Sequence, residues 1–185
     1  MNKQQIMIVP VNYINFDNGF TPATISTKDS YTRYDSIGIY KPIYEIEKNI
    51  CFIRISVMLI LQHNGYFLIK SLKDKTVRPC MELGLHSYIK SYSGNQKAIY
   101  NQLEAMTNQH NYKFIGNIRD LANKSVKSIL GCVYYCDSNF APEPSDLFTY
   151  EWFDTKTLMN NYSKFTSWSK PFIDMLVDNT FYNYI

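Results

Sequence analysis

The chain has 185 residues, of which 45% are hydrophobic and 19% charged, and a net charge of +3. This length suits one domain with its own core, and no apolar run reaches the roughly 18 residues that a membrane helix needs. The N-terminus lacks a signal-peptide pattern, so we expect a cytoplasmic protein without a membrane partner. So small a positive charge permits an anionic ligand but gives no indication of binding to extended nucleic acid.

Aromatic and cysteine residues add two constraints. The 16 Tyr and 11 Phe are numerous for this length, and such side chains fill cores, stack on bases or form adhesive surfaces. No two of the four cysteines form a Cys-x-x-Cys pair; they are Cys51, Cys80, Cys132 and Cys136. Free buried thiols are therefore favoured over a zinc site.

The first 50 residues read as an extension packed on the domain. Residues 5–11 predict a short strand, with Pro10 near its end. Residues 12–36 are polar and aromatic, and they predict a long loop that could contain a strand or turn. This segment could serve as a lid or a dimer arm, or it could be disordered. A second short strand is predicted at residues 37–40, and Glu45 and Glu47 follow it in a turn.

The middle of the chain carries the strongest strand pattern. Residues 52–61 alternate and then become continuously apolar, which is typical of a strand buried on both faces. His63-Asn64-Gly65 predicts a hairpin turn that returns through residues 66–70, and residues 73–78 form a basic loop. Residues 81–89 predict one strand that leads into a helix at residues 95–108.

The remaining elements complete an α+β pattern. Residues 112–118, 128–135 and 147–153 predict strands. A terminal helix is predicted from the spacing of Phe165, Trp168, Phe172, Met175 and Leu176. Pro171 must then lie in or near the first turn of that helix. This order of strands, helix, strands and helix indicates an α+β domain that spans residues 1–185.

The segment 87–108 can be aligned without a gap to the motif of the Nudix family, which reads Gly, five residues, Glu, seven residues, then Arg-Glu-apolar-x-Glu-Glu-x-Gly. The matching positions of this chain are Ser87, Ser93, Asn101, Gln102, Leu103, Ala105, Met106 and Asn108. Leu103 alone has the residue type of the family.

Other segments resemble a phosphoesterase-like Nudix subgroup in the same order. They are residues 82–89 (Glu-Leu-Gly-Leu-His-Ser-Tyr-Ile), 44–47 (Tyr-Glu-Ile-Glu), 115–118 (Ile-Gly-Asn-Ile), 129–134 (Ile-Leu-Gly-Cys-Val-Tyr) and 166–170 (Thr-Ser-Trp-Ser-Lys). The resemblance covers nearly the whole chain. It implies a Nudix-like α/β/α sandwich with a mixed β-sheet.

The departures from the motif bear on catalysis. The family's carboxylates hold divalent metals on a diphosphate, whereas this chain has Ser93, Gln102, Ala105 and Met106 at those positions. An amide oxygen is a weak substitute for a carboxylate, and a thioether is too soft for Mg²⁺. We therefore expect no catalytic residue, no metal site and no cofactor.

Basic, aromatic and polar residues near the expected cleft are the candidate ligand contacts. They are Arg33, Tyr34, Arg54, Lys70, Arg78, His86 and Gln102. An inward-facing Arg54 would need a partner or a ligand, although it could instead face solvent. Tyr34 could stack on a base and His86 could contact a phosphate, although packing in the protein is an alternative role for both.

Three functions remain open at this point. The first is an inactive Nudix-fold protein that binds a nucleotide-like or other phosphate-containing ligand, such as a sensor or a phage-type or mobile-element protein that sequesters a nucleotide. The second is a protein-interaction or oligomerisation module, including a homodimer. The third is a metal-dependent hydrolase of nucleoside-diphosphate-linked substrates with relocated ligands.

Overall fold

A mixed β-sheet organises the structure, a computed structural model that describes residues 4–15, 17–23, 30–46, 51–74, 76–77, 79–91, 98–124 and 127–185. Ten strands belong to the described part of this sheet. They are β1 (Gln5–Pro10), β2 (Gly19–Pro22), β3 (Ile39–Pro42), β4 (Phe52–His63), β5 (Tyr66–Leu72), β6 (Met81–Leu83), β7 (Leu85–Tyr88), β8 (Lys113–Arg119), β9 (Ile129–Asp137) and β10 (Phe148–Phe153).

Helices cover both faces of the sheet. They are α1 (Ser30–Ile37), α2 (Ile43–Ile46), α3 (Ala98–Thr107), α4 (Thr155–Asn160) and α5 (Lys170–Val177), and short 3-10 turns lie at Val11–Tyr13, Tyr162–Lys164 and Phe181–Asn183. Within the described ranges, no helix is long and apolar enough to cross a membrane.

The main path of the sheet runs β10-β5-β4-β9-β8-β2. β4 and β9 are parallel, and the other pairs are antiparallel, so the predicted mixed sheet is confirmed. The α3 side chains Ile99 and Leu103 pack in one buried cluster, and the α5 side chains Phe172 and Ile173 pack in the cluster on the opposite face. These two layers give the expected α/β/α arrangement.

The central strand β4 supports both layers because its side chains alternate between them. Ile55, Val57 and Leu59 belong to the cluster under α3, whereas Met58 and Ile60 belong to the cluster under α5. Burial on both faces explains why the second half of this strand reads as a continuous apolar run.

Successive strands share one edge of β4. β1 pairs with residues 52–54, β7 with residues 56–59, and β5 with residues 62–63. β4 and β5 thus separate beyond their hairpin, and β6 and β7 fill the space between them, since β6 pairs with β5 and β7 with β4.

Gly84 makes this insertion possible. The prediction of one continuous strand at residues 81–89 was wrong, because the chain breaks at Gly84 into β6 and β7. Its φ of +74° belongs to the left-handed region that glycine adopts without strain. Its N–H donates to Leu68 O at 2.7 Å, while a Cβ at this position would overlap the carbonyl of Leu59. The chain therefore changes its pairing partner at Gly84.

The N-terminal and C-terminal predictions also need correction. The predicted loop at 12–36 contains β2, a strand that the sequence left open, and most of α1, a helix that it did not predict. The predicted strand at 37–40 begins at Ile39, since α1 extends to Ile37.

Phe165 and Trp168 precede α5, which begins at Lys170 with Pro171 in its first turn as expected. The sequence pattern also missed α4, which the Asp154 side chain caps by accepting from Thr157 N–H.

The four cysteines are thiols that form no disulfide bond, as expected. Cys80, Cys132 and Cys136 are buried, whereas Cys51 is exposed, contrary to the expectation of burial. Cys51 lies in the turn directly before β4, where its side chain is not covered by the sheet.

We predict that Gly84→Ala lowers the free energy of unfolding by about 3 kcal/mol or more, because left-handed backbone strain and a backbone clash add together. Gly65→Ala is the matched control. Gly65 has a φ of +82° with nothing within 4 Å of an added Cβ, so its cost should be about 1 kcal/mol. Urea unfolding measures both variants. Equal losses would show that the contact with Leu59 does not constrain the sheet.

Candidate functional site

Helix α3 occupies the position of the motif helix and ends as that motif requires. Its last helical residue is Thr107, and Asn108 follows with a φ of +53°. This is the left-handed conformation that a closing glycine would supply, and Asn tolerates it better than most residues. The closing position of the motif thus has left-handed backbone, although its residue is Asn and not Gly.

Gln102 stands where the motif has a carboxylate, and its amide is engaged within the protein. The side chain is 3% exposed. Its Nε2 donates to Ser87 Oγ at 3.1 Å, and its Oε1 accepts from Lys90 N–H at 3.4 Å. Ser87 itself occupies the opening glycine position of the motif. Gln102 therefore ties α3 to the end of β7 through hydrogen bonds.

A polar cavity of about 320 Å³ lies between α3 and the strands β5, β7 and β10, and we name it the α3 cleft. Its lining residues are Lys70, Leu85, His86, Ser87, Lys90, Gln102, Ala105, Met106, Pro142 and Tyr150. The cleft brings together three of the predicted ligand residues. Two lysines and no carboxylate are among its described lining residues.

Lys70 is held in place at the wall of the α3 cleft. The register of β5 with β6 places it opposite Glu82, and its Nζ lies 3.0 Å from Glu82 Oε2. The same Nζ lies 4.1 Å from the centre of the Phe148 ring, within the range of a cation–π contact. Glu82 therefore partly neutralises Lys70, while Lys90 is exposed at the cleft.

His86 is an uncharged, half-buried group that lines two cavities. Burial lowers its pKa below the ordinary value of 6.5, the negative charge of Glu82 partly opposes that shift, and Lys70 adds to it. The ring is therefore neutral at pH 7. It packs edge-on against Trp168 with ring centres 5.2 Å apart, and its Nε2 is buried without a hydrogen-bond partner.

A second cavity of about 270 Å³ lies on the other side of β6 and β7, and we name it the Trp168 cavity. Its lining residues are Met58, Pro79, Glu82, Leu83, His86, Asn123, Thr166, Ser167, Trp168 and Ser169. This lining combines apolar and aromatic surface with a few hydroxyl groups. His86 is common to the linings of both cavities.

Local contacts fix the wall of the Trp168 cavity. Ser169 Oγ accepts from Leu83 N–H at 2.9 Å and shares a hydrogen bond of 2.9 Å with Thr166 Oγ1. The six-membered ring of Trp168 lies over Gly131, where an added Cβ would come within 2.8 Å of Trp168 Cζ3. Ser169 and Trp168 thereby anchor the segment before α5 to the sheet.

The other predicted ligand residues lie elsewhere. Tyr34 is 2% exposed in the core cluster under α3. Arg54 donates from Nη2 to Ser128 Oγ at 2.7 Å and lies 5.7 Å from the ring centre of Tyr88. The side chain of Arg33 and all of Arg78 and Ser93 lie outside the described residues.

Sequence reasoning missed Lys90, Tyr150 and Trp168 as site residues. Lys90 follows β7 and looks like an ordinary surface lysine, and Tyr150 reaches the cleft through the pairing of β10 with Lys70. Trp168 was assigned to the apolar stripe of a helix that in fact begins at Lys170. The Ser-Trp-Ser sequence before Pro171 was the available signal, because two hydroxyl residues beside a Trp are unusual in a buried helical stripe.

The donor chemistry of the described residues does not fit the divalent metal that the motif would hold. Mg²⁺ requires hard oxygen ligands, and the cleft offers the engaged amide of Gln102, the methyl group of Ala105 and the thioether of Met106. In the part of the chain that the structure describes, no group of three or more His, Cys, Asp or Glu side chains could hold a metal ion.

Comparison with solved structures finds a protein that shares the fold of this chain. No protein-family model matches the chain, and no curated protein matches it. Among solved structures, Tm1382, described as a candidate Nudix hydrolase, superposes with a TM-score of 0.77 at 16% identity over 95% of this chain and 99% of its own. A Nudix-family hydrolase from Clostridium perfringens matches 69% of this chain and 97% of its own at 16% identity, with a TM-score of 0.42.

The likeness to Tm1382 extends over almost the full length of both chains. At 16% identity such a likeness carries fold and not activity. It agrees with the mixed sheet and helices described above. The chain therefore has a Nudix-like fold.

Proposed function

We propose that this protein binds a nucleotide-like or other phosphate-containing ligand and does not hydrolyse it. The observation that carries the proposal is the bond of Gln102 to Ser87 and to the Lys90 backbone. Gln102 and Ser87 stand at two positions of the motif, and these hydrogen bonds engage both side chains within the protein. The α3 cleft beside them remains open. Loss of the metal chemistry with retention of the cleft is what a sensor or sequestering protein needs.

The two cavities together suit a ligand with an anionic end and a flat apolar end. Lys90 and Lys70 provide positive charge at the α3 cleft, where a phosphate could accept charge-assisted hydrogen bonds. The Trp168 cavity provides aromatic and apolar surface with the hydroxyls of Thr166 and Ser167. His86 borders both cavities, and a ligand with one end in each is the arrangement that we propose.

The neutral state of His86 supports this division of roles. An uncharged ring does not attract phosphate by charge, but it can pack against a base or accept a hydrogen bond from it. We therefore assign phosphate binding to the lysines and base packing to the Trp168 cavity.

Ligand binding should not depend on Mg²⁺. ADP-ribose at 100 times its dissociation constant adds about 2.7 kcal/mol to the stability, which raises the melting temperature by about 5 °C or more. We expect the same thermal shift in Mg²⁺ and in EDTA, and a panel of ADP, cyclic nucleotides and dinucleotides identifies the preferred class. A shift that requires Mg²⁺ and is followed by product formation would support the hydrolase alternative. A flat panel would favour the protein-interaction alternative.

Lys90→Ala should weaken binding of the ligand found in that panel about tenfold, because one charge-assisted contact to phosphate is lost. Lys113→Ala is the matched control, since it removes the same charge from an exposed position on β8 that does not line the cleft. Isothermal titration calorimetry measures both variants. Equal affinities for the two variants would exclude a direct contact from Lys90.

Restoring carboxylates should create a metal site that the natural protein lacks. Ala105 and Met106 line the cleft, so the double variant A105E/M106E should bind Mn²⁺ with a dissociation constant of about 1 mM or tighter. The neutral variant A105Q/M106Q controls for side-chain size. Paramagnetic relaxation of water protons reports the bound Mn²⁺. Equally tight Mn²⁺ binding by the unmodified protein would contradict the proposed loss of metal chemistry.

A further inference from the structure

A third cavity lies at the C-terminal end of α3, and we name it the Glu104 cavity. Its volume is about 240 Å³, and its lining residues are Tyr100, Asn101, Glu104, Gln109, His110 and Tyr112. Tyr100 and Glu104 are one helical turn apart, so their side chains share one side of α3. No residue that lines this cavity also lines the α3 cleft. The two cavities therefore use different surfaces of the same helix.

The Glu104 cavity has a negative character. Glu104 is exposed, and its Oε1 lies 3.4 Å from His110 Nδ1. Among the ion pairs of the described residues, none joins Glu104 to a lysine or an arginine. Glu104 also lies in the last turn of α3, which ends at Thr107, and the C-terminal end of a helix carries the partial negative charge of its dipole. A cation is therefore the favoured occupant.

Two tyrosines supply aromatic surface, and contacts within the protein hold both rings in place. Tyr100 packs edge-on against Tyr134, with ring centres 6.2 Å apart. The hydroxyl of Tyr112 donates to Gln109 O at 2.6 Å and lies 2.7 Å from Thr107 Oγ1. The faces of such rings carry negative charge density that attracts cations. Rings that are already fixed lose little conformational entropy when a ligand binds.

We propose that the Glu104 cavity binds a small organic cation that carries a guanidinium group. A guanidinium is planar and permanently charged, it stacks on aromatic rings, and its N–H groups match the two oxygens of a carboxylate. Glu104 accepts those hydrogen bonds, and Tyr100 and Tyr112 contact the plane of the group. An ammonium ion is more strongly hydrated and fits such a site less well. This site is separate from the α3 cleft and does not depend on the proposed function.

Ethylguanidine and ethylurea test the site, because the two molecules have nearly the same shape and differ in charge. In NMR titrations at constant ionic strength, ethylguanidine should bind with a dissociation constant of about 10 mM or tighter. The largest shift changes should occur at the backbone amides of Tyr100, Glu104 and Tyr112. Ethylurea should bind about fivefold more weakly, because it lacks the charge. Equal binding of the two molecules, or shift changes confined to other residues, would overturn the proposal.

The ligand resonances give a second measurement that needs no variant. The ethyl protons of ethylguanidine should move upfield on binding, because the ring currents of Tyr100 and Tyr112 shield a group that lies over their faces. Unchanged or downfield positions at saturation would overturn the proposed stacking.

Glu104→Gln removes the charge and keeps the size of the side chain. It should weaken ethylguanidine binding about fivefold, which is the scale of an exposed ion pair, and leave ethylurea binding unchanged. Glu151→Gln is the matched control, since it removes the same charge from an exposed position on β10 that does not line the cavity. This control should bind ethylguanidine like the unmodified protein. Equal affinities of the two variants for ethylguanidine would exclude the contact with Glu104 and overturn the proposal.

Discussion

The division of one edge of β4 among three strands is the constraint on which the rest of the structure depends. β1, β7 and β5 follow one another along that edge, while β9 runs parallel along the other. The arrangement requires β4 and β5 to separate directly after their hairpin and requires a break in the strand that fills the gap. Gly84 provides the break because no side chain fits between it and Leu59. Both candidate cavities lie beside this insertion.

The insertion also explains how one short segment can serve two cavities. Alternation along β7 directs Ser87 towards Gln102 on α3 and His86 towards Trp168 on the opposite side. The α3 cleft thus acquires a hydrogen-bonded floor without carboxylates, and the Trp168 cavity acquires a neutral aromatic wall. This arrangement is the basis of the proposed binding without metal-assisted hydrolysis.

Much of the fold could be predicted from the sequence, because it depends on periodicity. The apolar run at 52–61, the Asn64-Gly65 turn and the stripe of α3 are local patterns with direct structural meaning. The break at Gly84 could not be predicted in this way, since it depends on which strands become neighbours. The helical part of 12–36 was missed because α1 is polar and is fixed by contacts with the core through Tyr34.

The candidate site was less predictable than the fold, because it depends on which segments become neighbours. Lys70, His86 and Gln102 line one cavity beside the strand and helix that the family resemblance indicated, and their role as ligand contacts stays a prediction. Tyr34 and Arg54 lie elsewhere, since residue type alone does not report the direction of a side chain. Trp168 lies in a cavity formed by contacts between segments more than 80 residues apart, such as Ser169 with Leu83.

Phosphorus NMR of ADP-ribose mixed with the protein and Mg²⁺ tests the central claim most directly, because one sample reports both binding and hydrolysis. If the protein binds without hydrolysing, the diphosphate resonances shift or broaden equally with Mg²⁺ and with EDTA. No phosphomonoester resonance then grows with time. If ADP-ribose is not the preferred ligand, the ligand found by thermal shift replaces it. Growth of phosphomonoester resonances that EDTA abolishes would contradict the account.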